Sequence, residues 1–189
     1  MRKMRKTNFG VRVVMLMALI FLLTPALSAF ANTPQVNPRL VKQIRHELAT
    51  LPYYGVFDWL EFEMKPDNTV VLRGYVTRPT TKSDAEARVK DIEGVKDVIN
   101  EIQVLPVSPN DDRLRIALYR QLYNWDSPLF RYATQAIPSI HIIVDRGRAT
   151  LKGIVANKSD AQIAYMRARS VPGLFDVKNE LTIESELPR

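Results

Sequence analysis

Apolar residues recur at Leu40, Val41, Ile44 and Leu48, a spacing of three and four that predicts a helix, with Pro52 ending it. Trp59 to Met64 then alternates polar and apolar, the period of a half-buried strand. Pro66-Asp67-Asn68 reads as a turn into a second strand, Thr69 to Thr77, with Val70, Leu72, Gly74 and Val76 on one face. Helical spacing returns over Lys82 to Ile92, with Ala85, Val89 and Ile92 inward, and Gly94 can take the left-handed conformation that ends such a helix. Val98, Ile102 and Val104 mark a third strand. The predicted order is α-β-β-α-β.

The same order then runs again. Asp111 or Asp112 is placed to cap a helix carrying Leu114, Leu118 and Leu122. A longer segment, Tyr123 to Pro138, follows and holds Trp125, Phe130 and Tyr132. Ile140, Ile142 and Val144 give a strand, Arg146-Gly147 a turn, and Ala149, Leu151, Gly153 and Val155 its partner. Ser159 to Val171 is the second helix, and Val177, Leu181 and Ile183 the last strand. The copies can be aligned without gaps over their second halves. Leu72-Arg73-Gly74-Tyr75-Val76 is echoed by Leu151-Lys152-Gly153-Ile154-Val155, and the run from Gly94 to Ile102 by that from Gly173 to Leu181. This is a duplicated small domain rather than a solenoid of short repeats. The expected fold is α+β: two tandem αββαβ units, each a three-stranded sheet with two helices on one face. The units span 38–106 and 111–184, joined by a linker at 107–110 and flanked by a leader, 32–37, and a tail, 185–189. Gly74 and Gly153 fall on the inward face, where a missing side chain would let a helix approach. Gly94 and Gly173 are turn chemistry.

Charge changes the picture mainly at the start. Residues 1–31 hold Arg2, Lys3, Arg5, Lys6 and Arg12 and no acid, then an apolar run from Val13 to Leu23 and the small-residue site Ala29-Phe30-Ala31. This is the layout of an export signal cleaved before Asn32; the alternative is a retained membrane anchor. The formal charge of +7 therefore belongs mostly to the signal, and a nucleic-acid partner loses its main support. There is no cysteine, which excludes disulfides, thiolate metal sites and a thiol nucleophile. The product is expected to be soluble in the periplasm or secreted.

The unit Leu-x-Gly-x-Val, a helix, then Gly-[Val/Leu]-x-x-Val-x-Asn-x-[Ile/Leu] resembles the BON domain, the bacterial osmotic-stress and nodulation module. Both copies carry all of it. The resemblance implies the αββαβ fold, residence in the cell envelope, no catalysis, and association with phospholipid or envelope proteins. The pairing is similar to periplasmic osmotic-stress proteins and to dual-domain outer-membrane lipoproteins, although the cysteine that lipidation needs is missing.

Candidate chemistry is sparse. His46 lies off the apolar stripe of its helix, and His141 alternates with Ile140 and Ile142, so it faces away from the predicted core. Neither has the partners of a triad. Asp97 and Asp176, and Glu101 and Glu180, are matched across the copies, which favours capping and solvated strand faces over paired acid–base work. Asn100 and Asn179 are expected to hydrogen-bond backbone where the last strand begins. No cofactor, metal or catalytic residue is expected.

The copies differ in charge. Residues 32–106 carry ten Lys/Arg and eleven Asp/Glu, whereas 107–189 carry twelve and nine. On the second helix of the second copy, Gln162, Tyr165, Met166 and Arg169 point outward where the first copy has Ser83, Glu86, Ala87 and Lys90. Tyr and Arg beside an apolar residue suit a lipid-headgroup boundary. Packing against the other domain is the competing use of Tyr165 and Met166, and Trp125, Phe130, Tyr132 and Arg131 face the same choice. The expected function is a non-enzymatic exported envelope or osmotic-stress protein that contacts anionic phospholipid through Gln162, Tyr165, Met166, Arg169 and Arg131. The alternative is an adaptor or chaperone-like factor for envelope proteins. Trp59, Val71 and Tyr75, with Ile143 and Ile154, would leave apolar patches on the open sheet faces, to be used for partners or for docking the two domains together. Oligomeric state is left open.

Overall fold

The computed structural model describes residues 37–187. The export signal expected over 1–31, most of the leader and the last two residues of the tail lie outside the described residues. Helix α1 (Pro38–Ala49) is followed by β1 (Trp59–Met64), β2 (Thr69–Val76), α2 (Pro79–Lys90), β3 (Asp97–Asn100) and the short β4 (Gln103–Val104). The second copy runs α3 (Pro109–Leu122), a 3-10 turn over Pro128–Thr134, β5 (Ile140–Asp145), β6 (Arg148–Val155), α4 (Lys158–Arg169) and β7 (Asp176–Ile183).

Each sheet is mixed, with its middle strand antiparallel to the hairpin partner and parallel to the strand after the helix. A parallel neighbour requires a crossover, and α2 and α4 supply it. The two cores are separate. Leu40, Ile44 and Leu48 of α1 meet Leu72, Val76, Ala85 and Val89 in the first. Leu114, Leu118 and Leu122 meet Ile142, Leu151, Ala164 and Ala168 in the second. The expected third strand of the first copy is split into β3 and β4, whereas β7 of the second copy is continuous.

Two sequence expectations are corrected. Ser108, not either aspartate, caps α3, accepting from Asp111 N at 3.2 Å. Asp111 is instead buried and takes the backbone N–H groups of Arg146 and Gly147 at 2.9 and 2.8 Å, so it fastens the β5–β6 turn to α3. Gly74 and Gly153 do not make room for a helix. Both have positive φ (126° and 121°), and a Cβ there would sit 1.9 Å from the carbonyl oxygen of Trp59 or Ser139, on the hairpin partner. The motif glycine is demanded by strand–strand approach, the same way in both copies.

His141 does face away from the helix-covered side, but it is not solvated. It is 7% exposed, with its ring 5.7 Å from that of Tyr54 and 5.1 Å from that of Trp59. Its Nδ1 lies 2.5 Å from the Asp58 carbonyl oxygen. Beside it, Ile142 N donates to Val56 O at 2.8 Å, and Phe57 stands edge-on to Tyr119 of α3. The α1–β1 segment of the first copy therefore lies along the β5 edge of the second. Val71 and Ile143, on the open sheet faces, are 1% and 3% exposed and belong to neither core. The open faces are docked together at Val71 and Ile143, a use that requires no outside partner, whereas Ile154 stays 42% exposed.

Burial pulls the His141 pKa below its ordinary value, outweighing the opposing pull of the Asp58 and Gly55 backbone and the Asp58 carboxylate. A histidine depressed in the folded state stabilises when neutral, and that contribution is lost as pH falls from about 6.5. Denaturant midpoints of the unaltered protein should thus drop on acidification through this range. His141→Gln should flatten that segment of the profile; an unchanged slope would contradict the assignment.

Candidate functional site

Helix α4 is built to show one face. Asn157 caps it, accepting from Asp160 N at 2.9 Å, and Asp160 answers by accepting from Asn157 Nδ2 at 3.1 Å. The first bond satisfies one of the unpaired backbone donors of the first turn, and the second holds the two side chains together. Ala161, Ala164 and Ala168 are buried against the sheet, as their spacing predicted. Asn179 on β7 donates to the Ala161 carbonyl at 3.0 Å, and Asn100 donates to Lys82 in the matching place at the same distance. The motif asparagine ties the third strand to the crossover helix, a longer reach than the local backbone bond expected of it. It also accepts from the N–H two residues on, Ile102 or Leu181.

With the small residues inward, Gln162, Met166 and Arg169 are exposed and Tyr165 is half-buried. Met166 keeps 55% of its surface. The Arg169 guanidinium lies 5.7 Å from the Tyr165 ring centre, over its face. Tyr165 also touches the second core, so part of its ring is spent on packing. Lys158, Ser159 and Ile163 join Gln162 and Met166 in lining a shallow open groove along the helix. Sequence reasoning passed over these three. Lys158 lies before the expected start of the helix at Ser159. Among the described residues neither Lys158 nor Arg169 has an acidic partner.

Arg131 lies at the start of this helix, apart from Arg169 at its end. It is half-exposed, but its guanidinium is bound to the buried Asp160 and to the Tyr132 hydroxyl. Tyr132 also donates to Asp160 at 2.5 Å and accepts from Ala156 N at 2.9 Å. The charge of Arg131 is matched within the fold. On α2 the outward face is different in kind: Glu86 bonds to Asn100 at 3.0 Å, and Ala87 and Lys90 are exposed.

The matched glutamates lie in a polar cleft of about 480 Å³ between the docked sheet faces. Glu101 pairs with Arg73 at 2.8 Å, and Glu180 with Lys152 at 2.9 Å. Asp97 and Asp176 each bond to the backbone N–H of the following residue at 2.8 Å. The buried carboxylates are likewise taken: Asp58 accepts from Thr77 N at 2.6 Å and Gly55 N at 3.0 Å. No cluster of three or more metal-ligating side chains occurs among the described residues. No helix among them is long and apolar enough to cross a membrane.

The sequence matches the BON domain over residues 48–106 and again over 127–185, together more than half of the chain. No curated protein matches it. Among solved structures it is similar to CdsD, a structural protein of the type III secretion system of Chlamydia trachomatis, at 14% identity and a TM-score of 0.30, covering 80% of this chain and 93% of that one. The C-terminal domain of CdsD is similar at 16% identity and a TM-score of 0.30, with 82% and 100% covered.

Proposed function

Because the chain belongs to the BON-domain family, we propose that it is a non-catalytic, exported envelope protein of the osmotic-stress kind, periplasmic or secreted, that contacts anionic phospholipid through α4 of its second domain. The observation that carries this is the face formed by Gln162, Tyr165, Met166 and Arg169, with Lys158 on the same groove. Two cations without acidic partners supply attraction, each contributing about 1 kcal/mol near an anionic surface and screened beyond about 10 Å at 0.1 M salt. Met166 and the exposed edge of Tyr165 supply an apolar contribution that salt does not screen. The matching face of α2 keeps one exposed cation, Lys90, but sets the acidic Glu86 on the same face and offers nothing apolar larger than Ala87.

The test is flotation of the protein with neutral and anionic vesicles at low and high salt. Arg169→Glu should weaken binding to anionic vesicles and flatten its salt dependence. Tyr165→Glu with Met166→Ala should weaken binding at every salt concentration. Lys90→Glu should change little. Absence of binding to any vesicle, or loss through the α2 variant alone, would sink the reading.

A further inference from the structure

The two copies treat equivalent strand edges differently. On β5, the residues paired with Gly153, Leu151 and Ala149 are Ile140, Ile142 and Val144, and all three are fully buried. Their outward backbone groups are occupied. Ile140 O accepts from the Tyr123 hydroxyl at 2.6 Å, Ile142 N donates to Val56 O at 2.8 Å, and Val144 O accepts from Arg115 at 2.7 Å. The equivalents on β1 are Leu60, Phe62 and Met64, paired with Gly74, Leu72 and Val70. Lys65 N bonds to Thr69 O, so by the alternation of an antiparallel ladder the N–H and C=O of Phe62 point away from β2. These side chains are only half-buried. With Val41, Arg45 and Leu48 of α1 and with Tyr54 they line an open groove of about 470 Å³.

In the second copy this groove is closed by the segment joining the first helix to the first strand of the preceding unit. The second copy has such a segment too, and it is longer, running from Tyr123 to Ser139. Its Trp125 is 82% exposed and rests on Phe130, with ring centres 4.8 Å apart. We propose that the α1/β1 groove receives the Trp125–Phe130 segment of a second copy of this chain, so that molecules associate head to tail through a groove equivalent to the one that Val56 and Phe57 cover on the second copy. The chemistry matches. Arg45 is exposed on the groove wall, where its guanidinium can lie on the Trp125 indole, the aromatic face that binds cations best. Asp126 beside Trp125 answers the same charge. Burying one tryptophan also removes a large apolar area from water, and the Phe62 N–H gains the partner that an edge strand offers. Such a contact is heterologous and leaves a free groove at one end and a free segment at the other.

Sedimentation without lipid tests this. The mass of the unaltered mature protein should rise past dimer as concentration increases. Arg45→Glu and Trp125→Ala, both at exposed positions, should each weaken association by about tenfold or more. Mixed in equal amounts they should form a dimer and nothing larger, because one keeps the segment and the other the groove. A chain without cysteine allows a second readout: Arg45→Cys on one molecule and Trp125→Cys on another should form a mixed disulfide under mild oxidation. A protein that stays monomeric throughout, or variants that associate like the unaltered chain, would overturn the proposal.

Discussion

Leu151→Ala should lower stability by roughly 2–5 kcal/mol, and the loss should appear in a single unfolding transition shared by both domains. Leu151 is fully buried, in β6 between Ile142 of β5 and Asn179 of β7. Shortening it leaves a cavity in the core that it shares with Leu118, Ile142 and Ala164. The shared transition follows from the docking. Val56 and Asp58 of the first copy are bonded to β5 of the second, and Val71 and Ile143 are buried only while the sheet faces stay together. Unfolding the second domain would strip the His141, Ile142 and Ile143 contacts from the first. Leu72→Ala, at the matching place in β2, should shift the same transition. Two separate melting steps, each moved by only one of these variants, would show that the contact between the domains is too weak to couple them.

Gly153→Ala should be as damaging although it adds a single methyl group. At φ 121° an L residue is strained, and the new Cβ would lie 1.9 Å from the Ser139 carbonyl oxygen. Neither atom belongs to a flexible side-chain end, so the hairpin must open. Strain of this kind costs on the order of 1–3 kcal/mol, and the displaced β5 edge carries the interdomain bonds of His141 and Ile142. Gly74→Ala meets the same obstacle at the Trp59 carbonyl, beside the same interface. Thermal denaturation of both variants, followed by circular dichroism, measures the effect. A midpoint within a degree or two of the unaltered protein would contradict the steric account.

What could be read in the sequence was what local spacing controls. The αββαβ order, the apolar stripes of the helices and the inward run Ala161, Ala164 and Ala168 follow from periods of 3.6 and 2, and the gap-free echo gave the duplication. What spacing did not give comes from contacts it does not encode. His141 sits at an outward strand position and would be solvated on an isolated sheet; its burial depends on Tyr54 and Trp59, more than eighty residues earlier in the chain. Arg131 looks like a free cation beside aromatic residues until α4 brings Asp160 to it. Asp111 has the composition of a helix cap, yet its carboxylate is taken by the turn at Arg146 and Gly147. The α4 face was legible because two copies of one helix could be compared position by position, and Glu86 giving way to Tyr165 is a change of chemistry on a constant frame. The α1/β1 groove was not, since it becomes visible only when the two strand edges are compared in space.

The proposed contact of α4 with lipid is tested most directly by where the protein touches a vesicle. A single cysteine can be introduced as Met166→Cys into this cysteine-free chain, and in a second protein as Ala87→Cys on the matching face of α2. Each is labelled with a polarity-sensitive fluorophore and mixed with anionic vesicles. The account predicts a blue shift from the label at position 166, absent with neutral vesicles, and none from the label at position 87. A shift of equal size at both positions, or none at 166 while the protein is bound, would contradict it.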